Sequence, residues 1–106
     1  MAWFTGDKLL ITLKRMIRSF RHKGLAQFFN DADPAGISVD LADRIRRRLP
    51  ALHAARKPQD FKLPGFDFHS LKGKPKRYSV HVNGPWCITF EWDDGDAWRV
   101  DLENYH

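Results

Sequence analysis

The chain has 106 residues, room for one domain with a modest core and little for a second. Its 18 Lys and Arg against 13 Asp and Glu give a formal charge of +5 and a pI near 9.7, a balance that suits a polyanion such as RNA, DNA or acidic lipid, or an acidic protein partner. The single cysteine, Cys87, excludes an internal disulfide and fits a reducing cytosol; no apolar run approaches the roughly 20 residues of a membrane span, and the chain reads as cytoplasmic.

Residues 1–15 read as an extension ahead of a domain spanning 16–106. Leu9-Leu10-Ile11-Thr12-Leu13, between Lys8 and Lys14, is too short for a secretory core, and no small-residue cleavage site follows. Either Ile11 to Phe20 forms one extended strand, or the strand begins at Met16 and the earlier residues lean on it. His22 to Asn30 reads as a short helix with Leu25, Phe28 and Phe29 on one side. Asp33-Pro34-Ala35-Gly36 then breaks the chain, because the residue before proline avoids the helical region.

A second helix begins at Ser38 or Asp40 and carries the apolar stripe Leu41, Ile45, Leu49 and Leu52. Arg46, Arg47 and Arg48 follow one another along it, and Arg56 and Lys57 lie at its end, where cations suit the helix dipole. Pro50 removes a backbone donor at a cost of about 3 kcal/mol and predicts a kink or break beside Leu49.

From Phe66 the period changes to two. Phe66 and Phe68, then Tyr78, Val80 and Val82, then Trp86, Ile88, Phe90 and Trp92, then Trp98, Val100 and Leu102 alternate with polar residues. Asn83-Gly84 and Asp94-Gly95 mark hairpin turns. The pattern predicts a four-stranded antiparallel meander whose greasy face the helices cover. Its other face carries Ser79, His81, Cys87, Thr89, Glu91, Arg99 and Asp101, rimmed by the basic loop Lys72-Gly73-Lys74-Pro75-Lys76-Arg77; a ligand belongs there.

Several fragments occur together in order. Met16-Ile17-Arg18-Ser19-Phe20-Arg21-His22-Lys23-Gly24-Leu25 resembles the opening of the HigB-like toxins, a branch of the RelE/ParE superfamily found in type II toxin-antitoxin systems. Leu63-Pro64-Gly65 with Phe68-His69-Ser70-Leu71-Lys72-Gly73 resembles the family's "LPG…LHPLKG". Trp86-Cys87-Ile88-Thr89-Phe90 resembles "WRITF", Asp94-Gly95-Asp96-Ala97 resembles "DGDAY", and Glu103-Asn104-Tyr105-His106 resembles the ending "EDYH". Each fragment is weak alone; their order and spacing make the signal. The resemblance covers residues 16–106. It implies an α+β fold of RelE/ParE type, a four- to five-stranded antiparallel sheet with two helices on one face. It implies cleavage of mRNA in the decoding site of the 30S ribosomal subunit. The implied partner is a HigA-like helix-turn-helix antitoxin, with operator DNA met only through that antitoxin. No cofactor, metal or membrane is implied.

Metal-free RNA cleavage needs a base for the ribose 2′-hydroxyl proton, an acid for the leaving 5′-oxygen, and cations for the phosphate. The resemblance assigns His69 as acid or base and Lys72 as a phosphate ligand. It makes Tyr105 a stacking or phosphate-positioning group and His106 the second proton-transfer group. By residue type alone His69 is more often a surface strand residue, and terminal residues such as Tyr105 and His106 more often fray. Lys74, Lys76 and Arg77, with Arg46, Arg47 and Arg48, are expected RNA contacts, although such runs are commonly solvated faces. Asn104 stands where the family has aspartate and cannot take its proton role.

Cys87 replaces the arginine of "WRITF", whose charge would stabilise the phosphate, and it supplies only a weak donor. It is a natural attenuation, a substitution introduced for the host's survival, or a site whose charge comes from elsewhere; Arg99, on the same expected face, is the candidate substitute. His22, His53 and His81 read as structural, with no metal-binding spacing around them. Three functions compete on these residues: a ribosome-dependent endoribonuclease, an inactivated toxin that still binds antitoxin and operator, and a ParE-like gyrase poison. His69 and the Tyr105-His106 ending favour the first; Cys87 and Asn104 favour the second.

Overall fold

A computed structural model describes residues 17–104, without the side chains of Leu52 and His53. The expectations for residues 1–16, Leu52, Tyr105 and His106 lie outside the described residues.

Helix α1 spans Lys23–Asp31. His22 caps its start, its Nδ1 accepting from the Leu25 backbone N–H at 3.1 Å, which fits the structural reading of that histidine. The helix ends where Ala32 turns left-handed at φ 56°. Leu25 and Phe28 are buried. A 3₁₀ turn, Pro34–Gly36, follows behind the cap of Asp33 and packs against the start of α1. A Cβ added at Gly24 would lie 2.3 Å from the Gly36 carbonyl oxygen and 2.8 Å from its carbon. Both are backbone atoms, so no side-chain rotation relieves the overlap. Gly24→Ala is therefore expected to cost about 1–3 kcal/mol and to lower the melting temperature by at least about 5 °C. An unchanged thermal melt would show that helix and turn separate freely.

Helix α2 spans Val39–Ala54 and buries Leu41, Ile45 and Leu49. Ser38 is the cap position but makes no side-chain cap bond. The break expected at Pro50 does not occur. Proline there deletes only the donor that would meet the Arg46 carbonyl, and the last turn is closed by Ala55 N–H to Ala51 O at 3.1 Å. Leu49 and Ala55, both buried, anchor the chain on either side of the proline. A second 3₁₀ turn, Pro58–Phe61, follows. The backbone N–H of Arg56, then that of Lys57, holds the Asp60 carboxyl below its ordinary range. Its contribution to stability is present at neutral pH and lost as the pH falls through that lowered value. Phe61 is fully buried, with ring centroids 5.0 Å from Phe90 and 6.0 Å from Trp92. It stands alone in a polar stretch without period, so alternation does not announce it.

Strands β1 (His69–Leu71), β2 (Arg77–Asn83), β3 (Trp86–Asp93) and β4 (Asp96–Asn104) form one antiparallel sheet in chain order. Ile17 and Phe20 bridge in parallel to Ala97 and Val100 along the β4 edge. Val80, Val82, Ile88, Phe90, Val100 and Leu102 are buried under the two helices, as the alternation requires.

Three local features depart from the simple reading. The first strand begins at His69 rather than Phe66, because Asp67 turns to φ 45°, although the Phe66 carbonyl still accepts from His81 N–H at 2.6 Å. The β2–β3 turn centres on Gly84-Pro85, with Asn83 paired to Trp86, since Pro85 has no N–H to give a ladder. Trp98 does not join the core. A bulge sets Thr89 opposite Asp101 but Glu91 opposite Trp98, and Arg99 takes φ 48°. The extra residue reverses the side-chain phase, burying Ala97 and turning Trp98 outward beneath the Arg18 guanidinium, 5.7 Å from the ring centroid. Among the described residues no helix is long and apolar enough to cross a membrane.

Candidate functional site

Cross-strand partners point to the same side of a sheet, so the register maps the outer face. One row runs His69, Ser79, Thr89, Asp101; the next runs His81, Cys87, Glu103. Most of the residues expected on the polar face lie there.

Thr89 is fully buried although it points away from the core. Arg77 and Glu103, 26% and 28% exposed, close over it as an ion pair. The Thr89 hydroxyl accepts from Arg77 Nη2 at 2.8 Å and donates to Glu103 Oε2 at 2.5 Å. This half-buried triad is the centre of the face. His69, at the edge, is 62% exposed, and its Nε2 lies 3.2 Å from Asp67 Oδ1. A carboxylate beside one ring nitrogen favours one orientation of the ring and leaves the other nitrogen available for proton exchange. Lys72, Lys74 and Lys76 are exposed in the β1–β2 loop that follows.

The other expected site residues divide. Cys87, half-buried, is the direct cross-strand neighbour of Glu103. Asn104 pairs with Trp86, and alternation sets it on the opposite side from Glu103. Arg99 donates to Glu91 Oε1 at 3.0 Å. Glu91 is four residues along β3 from Cys87, about 13 Å, so Arg99 does not replace the missing cation beside Cys87. It lines an open groove with Ser19, Phe20, Arg21, Pro75, Glu91 and Trp98 instead. Arg46 and Arg47 pair with Asp43 on the exposed side of α2, across the sheet from His69.

Arg48 departs furthest from expectation: it is 6% exposed and offers no surface to RNA. Its guanidinium donates to the carbonyls of His81 at 2.7 Å, Arg44 at 2.9 Å and Gly65 at 3.2 Å, and lies 4.9 Å from the Phe66 ring centroid. Burial, then Arg44 and Arg47, pulls its pKa below the ordinary value. The helix turn that shows Arg46 and Arg47 to solvent rotates Arg48 inward, where it ties α2 to the segment leading into His69.

Two contributors escaped the sequence reading. Asp67 stands two residues before His69, a spacing that could have suggested the pair. Glu103 continues the alternation of Arg99 and Asp101, which could have placed it on the polar face. Among the described residues no group of three or more His, Cys, Asp and Glu is arranged to hold a metal ion.

Residues 18–106 match the family model described as the RelE-like toxin of type II toxin-antitoxin system HigB. The chain is 37% identical over 92 residues to the endoribonuclease HigB of Proteus vulgaris, covering 86% of this chain and 100% of that protein. It is 32% identical over 91 residues to toxin HigB-1 of Vibrio cholerae serotype O1, covering 83% of this chain and 96% of that protein.

Proposed function

The chain belongs to the HigB-like family of RelE-like toxins of type II toxin-antitoxin systems, and from that premise we propose that it is a metal-independent endoribonuclease acting on mRNA in the ribosomal decoding site. The observation that carries the reading is the juxtaposition on one face: an exposed histidine oriented by Asp67, the lysine loop beside it, and the half-buried Arg77–Thr89–Glu103 triad. The relative from Proteus vulgaris is named an endoribonuclease, which supports it.

In this reaction the ribose 2′-oxygen bonds to the adjacent phosphorus as the bond to the 5′-oxygen breaks. The base takes the 2′-hydroxyl proton and the acid delivers one to the departing 5′-oxygen, leaving a 2′,3′-cyclic phosphate and a 5′-hydroxyl. His69 takes one proton role and His106 the other; Lys72 holds phosphate and Tyr105 stacks on a base. Residues 16–106 form the toxin domain and 1–15 its extension. A HigA-like helix-turn-helix antitoxin neutralises it and carries it to operator DNA. Cys87 favours a second reading, a toxin that binds antitoxin but no longer cuts. Primer extension on a reporter mRNA after induced expression decides between them: cuts within the frame support the nuclease, and intact message with antitoxin binding retained supports the second reading.

The lysine loop accounts for affinity. Reversing Lys74 and Lys76 to glutamate should weaken binding to 30S subunits at least about tenfold at low salt and flatten its salt dependence, since each lost phosphate contact removes released counterions. Unchanged affinity in a salt titration would remove the loop from the interface.

A further inference from the structure

Charge builds on the phosphate as the 5′-oxygen leaves, and Cys87 contributes none to offset it. We infer that Arg77 is the catalytic cation, a guanidinium relocated from strand β3 to strand β2 that serves the same spot an arginine at position 87 would serve. The inference rests on the ribonuclease reading and assigns Arg77 more than general affinity for RNA.

The register carries the argument. Glu103 is the cross-strand partner of Cys87, so a cation at position 87 would meet the Glu103 carboxylate. Arg77 already binds that carboxylate, reaching it from the far end of β2 across Thr89, to which Nη2 donates at 2.8 Å. Thr89 stands in one row with Ser79 and His69, two strand spacings or about 10 Å from the histidine. The guanidinium is thus fixed, partly shielded from water, and on the histidine's side of the sheet. The other described arginines with assigned partners are committed elsewhere: Arg18 to Asp96, Arg99 to Glu91, Arg46 and Arg47 to Asp43, Arg48 to interior carbonyls. A planar fork suits two phosphate oxygens, where a lysine ammonium offers a point charge. Glu103 then holds Arg77 in place and yields to the phosphate when RNA enters.

The test compares Arg77→Ala, Arg77→Lys, Cys87→Arg and the double variant Arg77→Ala/Cys87→Arg in single-turnover cleavage of mRNA on programmed ribosomes. Circular dichroism melts check that each is folded. Loss of one transition-state donor predicts a fall of about 10²–10³ for Arg77→Ala and a smaller fall for Arg77→Lys. Cys87→Arg alone should change the rate less than about tenfold, because the cation is already present. The double variant should recover at least about tenfold over Arg77→Ala, because the new guanidinium addresses the same carboxylate and phosphate. Full activity of Arg77→Ala, a hundredfold gain from Cys87→Arg alone, or a folded double variant with no recovery would each overturn the inference. Failure of the unmodified chain to cut would instead overturn the ribonuclease reading, so the two failures are distinct.

Discussion

Replacing Arg48 by methionine is expected to destabilise the protein more than any other single change to an arginine. Methionine keeps most of the length and apolar stem but removes the donors that meet the carbonyls of His81 and Gly65. An acceptor left buried without its partner costs about 1–3 kcal/mol, and loss of the contact with Phe66 adds to it. The sum, on the order of 3–5 kcal/mol, is a large share of the roughly 5–15 kcal/mol that holds a domain folded. A melting temperature lower by more than about 10 °C should follow. Arg47→Met, one position away and 68% exposed at its side chain, should change stability by no more than about 0.5 kcal/mol. Arg48→Lys should fall between them, since an ammonium cannot span three carbonyls as the fork does. Equal melts for Arg48→Met and Arg47→Met would mean that the guanidinium adds nothing to the interior.

Arg48 also shows where sequence reasoning stops. Three consecutive arginines on a helix advance by about 100° each, so they span about 200° of its circumference and need not share one solvated face. Only the packing of α2 on β2 reveals that its fork meets carbonyls from two other segments. The sheet was legible because alternation survives wherever the ladder is regular, as where Tyr78 to His81 pair with Phe90 to Cys87. It failed at Trp98, because one residue in left-handed conformation at Arg99 reverses the phase, and an arginine gives no warning of that as a glycine would. The candidate site was legible in outline, with His69, Lys72 and Cys87 found from motifs. Its internal order was not. The ion pair of Arg77 with Glu103 joins residues 26 positions apart, and the register that brings Cys87 beside Glu103 depends on the same bulged hairpin.

Replacing His69 by alanine should lower cleavage of ribosome-bound mRNA by about 10²–10⁴, the usual worth of a positioned proton-transfer group, while leaving the fold intact. The two halves of that expectation have separate grounds. His69 is 62% exposed at the side chain and its ion-pair partner Asp67 is 69% exposed, so truncation strands no buried group among the described residues; stability should move by no more than about 0.5 kcal/mol. The chemical loss follows from the proposed role: the ring stands on the outer face in one row with Thr89, to which Arg77 Nη2 donates. Asp67→Asn should give an intermediate loss, because the amide keeps the shape but loses the charged acceptor that orients the ring. The double variant His69→Ala/Asp67→Asn should be no slower than His69→Ala alone, since an orienting carboxylate has no effect without the ring it orients. Arg77→Lys in the His69→Ala background should still slow the residual cleavage, because charge stabilisation does not depend on the proton carrier. These comparisons require single-turnover rates with saturating ribosomes. If His69→Ala cuts at the unmodified rate, the proton transfers belong to other residues and the site must be redrawn around the triad of Arg77, Thr89 and Glu103.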